Sequence, residues 1–236
     1  MSIWGKLAGA AAGLAAGGPI GALLGGFAGH YVIDRDNNEG IAGVAFTVGV
    51  IALGAKMAKV DGIVTPDEVT AFKEVFKVPE GEMKNVSRIF DLAKQDVVGY
   101  EAYAEQLASL LKGDRKLLGD VLEGLFHIAT ADGVFHPRED QFLAEVAKRF
   151  GFTDTEFSHI KARHISSAKR NPYDVLGIAP EIDNHALKLH YRKLVADNHP
   201  DKMIARGVPA EFVTIATHKI AAINAAYEEV ARERRI

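Results

Sequence analysis

Three groups of residues in this sequence have types and spacings that could do chemistry. The first is the turn Asn198-His199-Pro200-Asp201-Lys202. Pro200 disfavours helical geometry at His199, so a helix arriving from upstream must stop here. The turn then projects an imidazole and a carboxylate beside a rigid ring. Asp201 can form a charge-assisted bond to an arginine of a partner, and Pro200 reduces the entropy lost when the turn docks. That chemistry is recognition rather than bond-making.

The second group is a pair of acidic turns. Ala58 to Glu68 and Ala129 to Glu139 share the pattern A-x-x-D-G-x-[VF]-x-P-x-E at a constant offset of 71 residues. Asp61, Glu68, Asp132 and Glu139 are the oxygen donors at which a hard cation would be tested. The D-x-[DN]-x-[DN]-G calcium loop is absent, which excludes an EF-hand. Turn formation accounts for the same residues without a ligand. Glycine is free to take the left-handed conformation at a helix end, proline suits a first helical turn, and Thr65 and Glu68 have capping-box spacing. No metal is assigned. The third group is the histidine pairs His159/His164 and His185/His190. They are five apart, not the four of a helical metal pair. No nucleophile–base pattern and no phosphate loop is present, so neither enzymatic activity nor a cofactor is expected. With no Cys in 236 residues, thiolate catalysis, thiolate metal sites and disulfides are excluded.

The elements that must position these residues are helical. Asn171-Pro172-Tyr173-Asp174 opens a short helix, with Asn as cap and Pro at the first position; Gly177 closes it. A helix over roughly 183–197 carries Leu187, Tyr191 and Leu194 on one face and His185, Lys188 and Arg192 on another, with Lys193 beside them. After the turn a loop runs to about residue 210. A third helix then faces Val213, Ile220, Ile223, Tyr227 and Val230 inward. Upstream, each acidic turn joins two helices. Met83, Val86, Ile89, Phe90 and Ala93 recur at helical spacing, as do Tyr103, Leu107, Leu110 and Leu111. Leu117 to Phe126 lead into the second turn, and Phe142 to Phe150 follow it. The run 41–60 reads as a buried core helix. No segment alternates as a strand does, so the fold class is all-α: an N-terminal transmembrane helix, a helical bundle and a C-terminal helical hairpin.

The charge is unevenly distributed. Residues 1–33 hold Lys6 alone among charged side chains and nine of the 23 glycines; residues 34–168 hold 16 Lys+Arg against 22 Asp+Glu; residues 169–236 hold 11 against 9. Basic residues of the tail cluster on one short helix, which argues against nucleic-acid binding. The leader has no charge from 7 to 29, and as a helix that length spans about 34 Å, enough for a bilayer core. Gly5, Gly9, Gly13, Gly17, Gly21, Gly25 and Gly29 fall every fourth residue, a nearly flat face on which a second helix could pack. A retained membrane anchor that pairs with a second copy is the expectation. The domains are then 1–33 (anchor), 34–166 (acidic helical domain) and 167–236.

The four segments Pro-Tyr-Asp-Val-Leu-Gly, Tyr-Arg-Lys-Leu, His-Pro-Asp-Lys and Ile-Asn-Ala-Ala-Tyr-Glu, in that order over 171–230, resemble the J domain. The two Asp-Gly…Pro-x-Glu turns resemble the TerB-like helical domain. Trp4-Gly5-Lys6, the glycine-rich span, Gly29-His30 and Lys202 through Pro209 extend the resemblance to the DjlA-like family of membrane-anchored co-chaperones. That resemblance implies binding to a DnaK-type chaperone and stimulation of its ATPase. His199, Pro200 and Asp201 would be the essential element, and Lys188, Arg192 and Lys193 would supply electrostatic attraction. It implies a single-pass protein of a bacterial inner membrane with the bulk of the chain in the cytoplasm. The alternative is an acidic, metal- or stress-sensing scaffold. Only residues 166–170 separate the two soluble domains, where the family can carry a long polar linker; the J domain is expected close to its neighbour.

Overall fold

The computed structural model describes residues 18–21, 38–61, 66, 69–70, 72–73, 83–95, 99–165, 170–206, 208–209 and 212–236. Among these residues the regular structure is helical and no strand is present. The glycine row falls outside them except for Gly21, as does Glu68, and no helix of the described residues is long and apolar enough to cross a membrane. Within 18–21, Ile20 is fully buried and donates its backbone N–H to Gln106 Oε1 at 2.7 Å.

The middle of the chain is a bundle built round helix α1 (Asn38–Asp61), which is apolar on every side and therefore central. Val44, Phe46, Val48, Val50, Ile51 and Leu53 are all at most 1% exposed. Helices α2 (Met83–Gln95), α3 (Tyr100–Leu110), α4 (Arg115–Ala129) and α5 (Pro137–Arg149) pack on it. The approach of α1 to α3 is close enough that a Cβ at Gly49 would lie 2.5 Å from Leu107 Cδ2. Helix α6 (Asp154–Ala162) closes the bundle and was not anticipated; with nine residues it shows little periodicity, and Thr153 caps it by accepting from the Glu156 N–H.

The C-terminal hairpin begins with α7 (Pro172–Leu176), capped by Asn171 at one end and left-handed Gly177 (φ 68°) at the other. Helix α8 (Asn184–Asp197) and the long α10 (Val213–Arg234) form its arms. Tyr191 stacks on Tyr227 with centroids 3.9 Å apart, and its hydroxyl donates to Asn224 Oδ1 at 3.0 Å. The stretch expected as loop after the turn instead contains a short helix, α9 (Pro200–Ala205). The local code explains it: a cap, Pro at the first position and Asp in the first turn.

Two apolar cores result, and α10 contributes to both. Ile223, Ala226 and Val230 join Tyr173, Val175, Leu176 and Leu187 in the hairpin's core. Ile215 and Ala216, together with Met203, Val208 and Phe212, belong to the core of the middle bundle.

Candidate functional site

Helix α8 delivers the turn. Asp183 caps its start, accepting from the N–H groups of His185 and Ala186 at 2.9 and 3.0 Å. At its end the Asn198 side chain donates to Leu194 O at 2.8 Å and occupies the last helical hydrogen-bonding position. His199 is extended (φ −61°, ψ 139°), the geometry that a following proline imposes. Its Nδ1 accepts the Asp201 N–H at 3.3 Å, so His199 is the cap of α9. With Nδ1 accepting, the proton of a neutral ring sits on Nε2. The His199 and Asp201 side chains are 55% and 86% exposed, so both are open to a partner. Lys188, Arg192 and Lys193 are likewise exposed along α8, and Leu189 lies among them 63% exposed. The structure thus places a basic face on α8 and the His-Pro-Asp turn directly after it, at the start of α9.

The flanks of the turn are held from beneath. On the upstream side, Asp197 Oδ1 accepts from Lys202 Nζ at 3.1 Å, and Lys116 Nζ of α4 lies 3.8 Å from Oδ2. The Lys202 hydrogen bond, with Lys116 and Lys193 nearby, holds the Asp197 carboxyl below the usual range against its partial desolvation. On the downstream side, Arg206 donates one Nη to Asp197 O at 3.1 Å and the other to Asp120 Oδ2 at 2.7 Å.

Asp120 and Glu123 are each 1% exposed on α4. Buried carboxylates persist when they are paired and hydrogen-bonded, and these two are surrounded by cations. Lys219 of α10 lies 3.5 Å from Asp120 and 3.2 Å from Glu123, Arg163 donates to Glu123 Oε1 at 2.7 Å, and His164 Nε2 meets Oε2 at 2.7 Å. Burial pushes the Glu123 carboxyl up, but Lys219, Arg163 and His164 outweigh it and hold it well below the usual carboxylate range. Apolar contacts surround this charge cluster. Phe212 meets Phe46 edge-on at 4.8 Å, and Ile215 lies so near α4 that a Cβ at Gly124 would be 3.1 Å from its Cδ1. His127 and His218 pair across the same junction with centroids 4.6 Å apart.

The second acidic turn does different work. Asp132 Oδ1 accepts the Val134 N–H at 2.8 Å, and Glu139, 2% exposed, accepts the His136 N–H at 2.9 Å as the far half of a cap on α5. Asp61 ends α1, and nothing is described of its side chain. Among the described residues no three His, Cys, Asp or Glu side chains gather as metal ligands would. Sequence patterns missed Lys116, Asp120, Glu123, Arg206 and Lys219. The available signal was charge where the periodicity demands an apolar residue: Asp120 and Glu123 interrupt LLGDVLEGLF, and Lys219 interrupts the inward face of α10.

Comparison with known proteins finds three matched stretches. Residues 1–45 match the model of the co-chaperone DjlA transmembrane domain, 47–162 that of the tellurite resistance protein TerB, and 171–235 that of the DnaJ domain. Curated relatives named co-chaperone protein DjlA are similar along most of their length. That of Escherichia coli K12 is 26% identical, with 99% of each chain covered. That of Photobacterium profundum is 27% identical over 89% of this chain and 84% of its own, and that of Coxiella burnetii 28% over 75% and 73%. No solved structure matches.

Proposed function

We propose, for a chain whose segments match the DjlA transmembrane, TerB and DnaJ models and whose relatives named DjlA are similar along most of it, that it is a membrane-anchored co-chaperone. Its J domain binds a DnaK-type chaperone and stimulates that chaperone's ATP hydrolysis. One observation carries the reading: the His199-Pro200-Asp201 turn is exposed at the end of a helix whose Lys188, Arg192 and Lys193 are also exposed, inside a DnaJ-domain match. The basic face steers encounter with an acidic surface. Asp201 supplies a charge-assisted bond to a cation of the partner, and Pro200 keeps the turn from paying its ordering entropy on docking. The chain itself performs no bond-making step; it biases the partner's conformational equilibrium toward the hydrolysing state.

The match of residues 1–45 to a transmembrane domain supports anchoring in a bacterial inner membrane. The single-pass arrangement places the J domain in the cytoplasm, and the glycine row from Gly9 through Gly25 is the face through which two copies pair. A protease added to inverted inner-membrane vesicles is expected to remove the C-terminal domain, and one added to right-side-out vesicles to leave it intact. The function itself is tested by ATP turnover of a DnaK-type chaperone with the full chain in detergent. Wild type is expected to raise turnover and His199→Gln to leave it at the basal rate. Equal stimulation by both removes the mechanism.

A further inference from the structure

Lys116, Asp120 and Glu123 form one stripe on α4, at spacings of four and three. That stripe touches both flanks of the chaperone-binding turn. Lys116 reaches Asp197 just upstream, and Asp120 takes Arg206 just downstream. The Arg206 guanidinium also reaches back to the Asp197 carbonyl, so one planar fork ties the end of α8 to the end of α9. Met203, 1% exposed, and Phe212, fully buried, pin the same segment into the bundle core. Within this held frame the turn is left open, with Asp201 86% exposed.

We infer that Asp120 of the TerB-like domain is a positioning residue for the J-domain turn: by fixing Arg206 it sets the separation of the two helix ends and presents His199 and Asp201 in their binding arrangement before a partner arrives. The inference rests on the co-chaperone reading above. Its physical content is preorganisation. If the turn is competent only part of the time, the apparent affinity falls by that fraction while the bound complex is unchanged. Lysine cannot replace Arg206 in this role, because a single ammonium lacks the fork that bonds a carboxylate and a distant carbonyl together.

The test titrates the full chain, reconstituted in phospholipid nanodiscs, against a DnaK-type chaperone and reads both the half-saturating concentration and the plateau of ATP turnover. Arg206→Lys keeps a cation on Asp120 and so keeps the fold; its half-saturating concentration is expected to rise about threefold, with the plateau unchanged. Asp120→Asn is expected to raise it about five- to tenfold and also to lower the melting temperature, because Arg206 is left buried without its carboxylate. Asp120→Asn/Arg206→Met removes that stranded charge. Its melting temperature should return toward wild type while the half-saturating concentration stays raised. A half-saturating concentration that recovers along with the melting temperature, or one unmoved in Arg206→Lys, reduces Asp120 to a purely structural partner and overturns the inference. Failure of wild type to stimulate at any concentration instead removes the co-chaperone reading on which the inference stands.

Discussion

The two halves of α10 live in different domains. Its C-terminal half, with Ile223, Ala226 and Val230, completes the core of the J domain. Its N-terminal half, with Ile215 and Ala216, completes the core of the TerB-like bundle, and Lys219 between them reaches Asp120 and Glu123. A J-domain hairpin can in principle stand alone on the contacts of the second half. Here the half nearest the His-Pro-Asp turn is packed into its neighbour instead. The turn is therefore a feature of the two domains together, not of a tethered module, and a fault in the bundle reaches it directly.

Substitutions in the shared core and in the charge cluster test that contrast. The largest effect is expected at Phe212, fully buried against Phe46: Phe212→Ala should cost about 4 kcal/mol in denaturant unfolding of the full chain. A cycle with Phe46→Ala should show coupling of about 1 kcal/mol; strict additivity would mean that the segment does not share the bundle core. Next comes Glu123→Gln, which leaves Arg163 without its carboxylate and Lys219 with Asp120 alone and should cost about 3 kcal/mol.

A third effect is a pH dependence. Burial first, then His218 and His164, push His127 down from its ordinary 6.5 to about 4. The folded protein therefore holds this ring neutral while the unfolded chain takes up a proton. Stability should fall as pH drops from 6.5 toward 4 and be flat in this component on either side. The Glu123 contribution is lost in the same direction, but only below its ordinary 4.5; His159, lowered by burial and then by Arg163, contributes with the same sign above 4.5, so the difference between wild type and a His127 variant is what isolates His127. After solvent screening the His127 part of the loss should be about 1–2 kcal/mol, and the pH dependence of His127→Phe across this interval should be smaller than that of wild type by that amount. The smallest effect belongs to Lys116→Gln, whose ion pair with Asp197 is exposed and long: stability should change by at most about 0.5 kcal/mol.

Much of this architecture was legible in the sequence because it is local. Helices α2 to α5 declare themselves by apolar spacing, α1 by its uniform apolarity and α8 by its inward stripe; of the stripe expected on α10, Ile223 and Val230 are buried and Tyr227 packs on the hairpin core, but Val213 and Ile220 lie outside both cores, and Ile215, Ala216 and Ala226 face inward instead. The closeness of the two domains was legible too, from the brevity of residues 166–170. The start of α9 was written in the same kind of signal that opened α7, a capping side chain, a proline after it and an aspartate in the first turn, yet six residues are too few for periodicity to show. The charge cluster lies beyond such reading. Asp120 finds Arg206 at a separation of 86 residues and Lys219 at 99, and no local pattern joins positions so far apart. What the sequence did display was charges on faces that should be apolar, which marks a buried partner without naming it.

The central claim is that the exposed turn acts on an ATP-hydrolysing chaperone. Its most direct measurement is single-turnover hydrolysis by a DnaK-type chaperone preloaded with ATP, followed at rising concentrations of the full chain and of Asp201→Asn. The account predicts a rate that climbs and saturates with wild type and stays at the unstimulated value with Asp201→Asn, although both melt at the same temperature because this side chain is solvent-facing. Superimposable curves from the two proteins would contradict it.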